Sequence, residues 1–357
     1  MLMSKLKIGI THGDTNGIGY EIILKTFADV TMMELCTPII YGSPKVASYH
    51  RKAMELPTNF TTISNVSEAK EGVLNLVPCT AEEVKIDFGQ ATEEAGRAAL
   101  AALEKAINDW KSGLIDAIVT APINKYSIQS DTFHFPGHTE YIQERIGHDG
   151  QQALMILLND RLKVALVTTH LPLREVAAAV TEENVLSHLR SFHHSLQRDF
   201  GISNPRIAVL ALNPHAGDNG LLGSEEETVL KPVMEQAANE GIISYGPYAA
   251  DGFFGSETYK AFDGVLAMYH DQGLAPFKAL AMSSGVNFTT GLDLVRTSPD
   301  HGTAYDIAGK GQADETSIRE AIYLAIDVIR NRKAWDEARQ NPLPKLYVDK
   351  RDKSERG

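Results

Sequence analysis

The chain has 357 residues, with 34 lysines and arginines against 46 aspartates and glutamates, and a formal net charge of -12. That balance, without a basic stripe, excludes the electrostatic footprint of a nucleic-acid binder, and no apolar run approaches the roughly 18 residues of a membrane span. With 43% hydrophobic and 22% charged residues the composition is that of a globular protein long enough for two domains.

Met1 to Lys7 leads into strand-like residues rather than a signal-peptide apolar stretch, so a cytoplasmic protein is expected. The first strand is Leu6 to Thr11, followed by a glycine loop and a helix over Asn16 to Phe27. Cys36 and Cys79 stand at no metal or redox spacing and are expected to be core thiols. Pro38 to Tyr41, Val73 to Val77 and Ile115 to Thr120 read as further strands, and Thr92 to Lys111 as a helix rich in Ala and Glu. A second series begins after Pro136, with strands at Ala153 to Leu158, Val164 to Thr169, Ile207 to Leu212 and Val265 to Met268. Between and after these, helices are expected at Glu182 to Phe200, at Glu225 to Asn239 with Ser224 as N-cap, and at Thr316 to Arg332. From Lys333 onward, a charged stretch broken by Pro342 and Pro344 reads as a solvated tail. The alternation of apolar β-branched runs with amphipathic segments predicts an α/β fold, mostly parallel strands with helices on both faces.

The loop Gly13-Asp14-Thr15-Asn16-Gly17-Ile18-Gly19 has the spacing GxxxGxG, which is not the dinucleotide fingerprint GxGxxG, and no acidic residue stands about 20 positions further on. Its amides near a helix start suit a small anion or part of a cofactor, and a purely structural turn reads equally well. Three histidines share a placement: His170 ends VALVTTH, His215 follows VLALNP, and His270 ends GVLAMYH. The carboxyl ends of parallel strands face the ligand crevice, so three imidazoles there suit a catalytic divalent metal such as zinc, cobalt, nickel or iron. Asp271 and Asp251 can orient an imidazole or add an oxygen ligand. The competing reading is three polar strand-end residues bonded to carbonyls. In Phe135-Pro136-Gly137-His138-Thr139-Glu140, Thr139 can cap a helix while its hydroxyl and His138 face a ligand. Lys278, Asn287 and Arg296 are oxyanion donors, the arginine bidentately, and suit a small phosphorylated acid; Lys125 is a further donor.

ITHGDTNGIGYEI at 10–22, VTAPINK at 119–125, FPGHTEYI at 135–142, NPHAGDNG at 213–220, YHDQGLAPFK at 269–278 and RTSPDHGTAYDIAGKG at 296–311 together resemble the 4-hydroxythreonine-4-phosphate dehydrogenases of vitamin B6 biosynthesis. The last segment is also similar to the adenine-side loop of isocitrate and isopropylmalate dehydrogenases. The resemblance implies their two-domain α/β/α dimer, with a discontinuous first domain of residues 1–130 plus about 297–357 and a second of about 131–296. It also implies a divalent metal (zinc, magnesium or cobalt) on His170, His215 and His270, one ligand crossing a homodimer interface. Phosphorylated substrate falls on His138, Thr139, Lys278, Asn287 and Arg296. NAD or NADP falls along His301, Gly302 and Asp306, with Gly13, Asp14 and Gly17 as the remaining cofactor candidates. Lys278, Asp251 and Asp271 are the catalytic candidates. The chain departs from the family pattern at His12, Thr15 and Tyr20, where proline is usual. Close relatives act on threonate or erythronate 4-phosphate. A phosphate-acetyltransferase type of enzyme and a non-catalytic metal- or phosphate-binding module are the remoter alternatives.

Overall fold

The computed structural model describes residues 5–342 except 81–83, 130–132, 136, 149–150 and 282, so Pro136 and the stretch beyond Pro342 lie outside the described residues. Twelve strands among the described residues form one sheet: β1 (Lys7–Thr11), β2 (Thr37–Gly42), β3 (Thr61–Thr62), β4 (Asn75–Pro78), β5 (Ala117–Thr120), β6 (Leu154–Leu158), β7 (Lys163–Leu166), β8 (Ile207–Leu210), β9 (Ser244–Tyr248), β10 (Gly264–Ala267), β11 (Val286–Thr290) and β12 (Val295–Pro299). Their order is β3-β4-β2-β1-β5-β12-β11-β6-β7-β10-β8-β9. One half of the sheet thus comes from residues 7–120 and 295–299 and the other from 154–290. The sheet is mostly parallel, as expected. Three antiparallel pairings, β12 with β11, β11 with β6 and β6 with β7, gather at its centre and reverse the strand direction between the halves.

Helices cover both faces because the strands are apolar on both. In β5, Ala117 and Val119 join the core beneath the helix Thr316–Gln340, with Ile318 and Ile322, while Ile118 points the other way to Leu103 and Ile107 of the helix Glu93–Lys111. Thr92 caps the latter by accepting from the Ala95 N–H at 3.2 Å. Two expected caps are corrected. Gly137 is the N-cap of the helix His138–Ile146, leaving Thr139 inside its first turn. Ser224 offers its carbonyl, not its hydroxyl, to the turn that opens the segment 226–239. The last helix runs to Gln340, so Lys333 is helical rather than part of a tail. No helix among the described residues is long and apolar enough to cross a membrane.

The glycine loop after β1 is buried throughout. A Cβ on Gly13, whose φ is +71°, would lie 2.3 Å from the Pro122 carbonyl oxygen, and one on Gly17 2.9 Å from that of Thr303. Gly13→Ala should therefore cost at least about 2 kcal/mol in denaturant unfolding; parent-like stability would contradict this close approach. The departures from the family pattern lie in one packed cluster. The His12 ring stacks on Tyr20 at 5.0 Å, the Tyr20 hydroxyl accepts the Ser43 N–H at 2.8 Å, and His50 Nε2–H donates to the Thr15 carbonyl at 2.8 Å.

Burial holds both imidazoles at about 4, opposed at His12 by backbone hydrogen bonds and reinforced there by the neighbouring His50, and opposed at His50 by its bond to Thr15. The folded-state values lie below the ordinary 6.5, so the unfolded chain binds more protons in acid, and stability present above 6.5 is lost as pH falls toward about 4. At pH 5 each imidazole should remove about 2 kcal/mol relative to neutral pH. Urea midpoints at pH 7.5 and 5 check this, and His50→Gln, which can keep a donor for Thr15, should flatten the slope. A midpoint that does not move would contradict it.

Candidate active site

A cavity of about 370 Å³ opens over the centre of the sheet, where the strand direction reverses. Register builds its floor. Arg296 of β12 pairs with Thr289 of β11, which pairs with Met155 of β6, and two residues along, Ser298 pairs with Asn287 and Asn287 with Leu157. Period-two alternation puts both rows on one face, and Thr120 ends the adjoining strand β5.

Arg296 is 4% exposed and, among the described residues, has no ion-pair partner. Its Nε and Nη2 donate to Thr120 Oγ1 at 3.0 and 2.7 Å, Nη1 donates to Thr289 Oγ1 at 3.3 Å, and Nη2 also reaches His138 Nδ1 at 3.2 Å. Burial lowers its pKa to about 10, with Glu140 pulling the other way. A guanidinium remains charged there, so the floor carries a buried cation with only neutral contacts. Burial, then the charges of Arg296 and Lys125, hold His138 well below the usual imidazole range. Because His138 Nδ1 accepts from Arg296, its proton sits on Nε2. The Thr139 hydroxyl stands 3.2 Å from that of Thr289. Asn287 lines the same cavity with its Oδ1 buried and unpartnered. At the wall, Lys278 Nζ donates to the carbonyl and to Oδ1 of Asp300 at 3.0 and 3.1 Å. Burial raises the Asp300 carboxyl, opposed by Lys278.

His170 and His270 line the cavity with ring centroids 6.4 Å apart. His170 Nδ1–H donates to Glu140 Oε1 at 3.2 Å and His270 Nδ1–H to Asp271 Oδ1 at 2.7 Å. Burial alone would raise Glu140, but the bond from His170, its own backbone N–H and the charges of His170 and Lys125 bring it below its usual range. Both rings thus keep Nε2 with an available lone pair and a carboxylate behind Nδ1, the arrangement of imidazoles that hold a metal. Within the single chain, no group of three or more His, Cys, Asp or Glu among the described residues is arranged to hold a metal, so His170 and His270 stand together without His215. His215 lies off the cavity, exposed on the turn Pro214–Gly220, where residues 215–219 all have positive φ. Non-glycine residues in that region cost about 1 to 2 kcal/mol each, and bonds from Asn213 to Glu225 and Glu226 brace the turn.

The other expected residues divide. His301 and Gly302 line the cavity; Asp306 is exposed away from it. Gly13, Asp14 and Gly17 do not reach it. Asp14 instead accepts the Tyr305 hydroxyl at 2.7 Å, tying the glycine loop to the 301–311 loop, and burial raises its carboxyl against the bonds from Tyr305, Asn16 and Ser127. Asp251 is exposed on the helix Ala250–Gly255, outside the cavity, and Asp271, also not part of the lining, accepts from His270 Nδ1–H. Thr120, Glu140, Thr289 and Asp300 were not singled out from the sequence. Three of them stand inside the segments that carry the resemblance, where their polar side chains beside basic ones were the available signal.

Comparison with known proteins agrees with this architecture. A relative from Bacteroides thetaiotaomicron named 4-hydroxythreonine-4-phosphate dehydrogenase is 62% identical over 353 residues, 99% of this chain and 97% of its own. One from Oceanobacillus iheyensis, provisionally named D-threonate 4-phosphate dehydrogenase, is 39% identical over 90% of this chain and 97% of its own. The crystal structure of 4-hydroxythreonine-4-phosphate dehydrogenase from Klebsiella pneumoniae superposes with a TM-score of 0.77 at 33% identity, covering 92% of this chain and 98% of that one. Residues 34–325 match the family model for the pyridoxal phosphate biosynthetic protein PdxA, and the chain belongs to that family.

Proposed function

We propose that the protein oxidises 4-phosphooxy-L-threonine at C3 with NAD or NADP, and that decarboxylation then yields 3-amino-2-oxopropyl phosphate for pyridoxal 5'-phosphate synthesis. The observation that carries this reading is the buried Arg296, which has no carboxylate partner among the described residues, under a cavity that also presents His138, Thr139, Asn287 and Lys278. A phosphorylated acid supplies the negative charge that this floor lacks. Bound NAD(P)+ would take the hydride from C3, and a zinc, magnesium or cobalt ion would polarise the C3 oxygen.

His170 and His270 are the residues to hold that ion, Glu140 and Asp271 orienting them. His215 would come from the second subunit of a cytoplasmic homodimer, since it is exposed away from its own cavity. Exposed apolar residues follow two of the three histidines, Leu173 at 73% after His170 and Leu221 at 77% after His215. The Lys278–Asp300 pair at the cavity wall would take the C3 hydroxyl proton. As an ammonium Lys278 has no lone pair, so it accepts only after passing a proton to the Asp300 carboxylate. The nicotinamide cofactor would lie toward His301 and Gly302, in the cleft between a lobe of residues 1–130 plus about 297–357 and one of about 131–296.

The Oceanobacillus relative favours a second reading, D-threonate or D-erythronate 4-phosphate as substrate. Comparing kcat/KM for the three phosphorylated acids decides between them: the amino acid should lead by at least about tenfold, and a sugar-acid phosphate in the lead would overturn the first reading while leaving the site assignments in place.

A further inference from the structure

Arginine carries five N–H groups in a planar fork and commonly grips an oxyanion with two of them. In this protein four are already engaged inside the floor: Nε–H and one Nη2–H on Thr120 Oγ1, the other Nη2–H on His138 Nδ1, and one Nη1–H on Thr289 Oγ1. A single Nη1–H is left for a ligand. Bidentate recognition, the expectation from residue type alone, would require breaking a bond to Thr120, Thr289 or His138.

We propose that Thr120 is a positioning residue for anion recognition: its hydroxyl, accepting two guanidinium N–H groups, fixes the plane of Arg296, which then serves as a fixed charge with one free donor. The remaining donors to the anion come from side chains that this lock sets in place. Arg296 holds His138 with its proton on Nε2, and the Thr289 hydroxyl that accepts from Arg296 also meets Thr139. Thr120 is the last residue of β5, and Ile118, two residues before it on the same face, pairs with Arg296 across the strands, so the backbone register sets the hydroxyl beside the guanidinium. Valine has the shape of threonine without the oxygen, so Thr120→Val frees two guanidinium donors and lets the fork rotate; Thr120→Ser keeps the oxygen.

This inference rests on the proposed phosphorylated substrate, and the experiment separates the two. Binding of inorganic phosphate by calorimetry, which needs no assumption about the reaction, should be at least about fivefold weaker in Thr120→Val than in the parent and within about twofold in Thr120→Ser. With 4-phosphooxy-L-threonine, the valine variant should raise KM about tenfold while kcat stays within about threefold, and serine should restore KM. Turnover of none of the phosphorylated acids, with the phosphate-binding difference intact, would fail the substrate reading alone. Parent-like phosphate binding in Thr120→Val, or a loss that serine does not repair in a protein with an unchanged melting temperature, would overturn the role of Thr120.

Discussion

Replacing Arg296 by methionine is expected to lower kcat/KM for the phosphorylated substrate on the order of a thousandfold, about 4 kcal/mol, most of it through KM. The magnitude follows from removing a desolvated charge that faces its ligand across a low-dielectric floor. Lysine should recover little. It can restore the charge, but a lysine ammonium cannot make the fan of bonds that Arg296 makes to Thr120, Thr289 and His138. Stability should move far less than activity, because the energy of withdrawing a buried cation from water is returned when the cation is removed, while Thr120 and Thr289 lose partners worth about 1 to 2 kcal/mol. Steady-state kinetics beside denaturant unfolding separates the two; a loss of activity matched by a loss of folded protein would contradict the assignment.

The second large effect concerns the histidines. His170→Ala and His215→Ala should each reduce turnover by more than about a thousandfold, although the two residues occupy different surroundings in the chain, one in the cavity and the other on a braced left-handed turn outside it. If His215 acts in the partner's cavity, refolding the two inactive variants together should restore roughly a quarter of parental activity, since random pairing makes half the dimers mixed and each mixed dimer has one intact site of two. Metal content measured on the same samples should rise in parallel. Mixed samples as inactive as the separate variants would place all the ligands within one subunit.

Much of the fold was legible because its signal is local. The strands β1, β5, β6, β8 and β10 are short apolar runs bounded by breakers, and the helix Glu93–Lys111 announces itself by Thr92, its acidic first turn and its alanines. The central strands β11 and β12 were not read as strands. Their residues, VNFTT and VRTSP, include the polar side chains that form the cavity floor, so the hydrophobic pattern is broken where the function lies. The helix His270–Ala281 was hidden by Pro276 in its interior.

The site was legible to the same depth. Residue chemistry picked His138, Thr139, Asn287, Arg296 and Lys278, which the fold brings to one cavity from four separate segments. Strand-end placement brought out His170 and His270, which line the cavity, whereas the turn of positive φ that carries His215 outside its own chain's cavity has no signature in the strand pattern. Nor could spacing reveal that Thr120 and Thr289 occupy most of the Arg296 donors, because those contacts arise from the pairing of β5, β12 and β11. The glycine loop was ambiguous for a related reason: close approach to Pro122 and Thr303 demands glycine as firmly as a cofactor would.

The most direct test of the proposed reaction is to follow NAD(P)H formation and carbon dioxide release together, with 4-phosphooxy-L-threonine and protein that has been chelated and then resupplied with zinc, magnesium or cobalt. One carbon dioxide is expected for each NAD(P)H, at a rate that chelation abolishes and a divalent ion restores. Undiminished turnover in fully chelated protein, or no reduction of either nucleotide with any of the three metals, would contradict it.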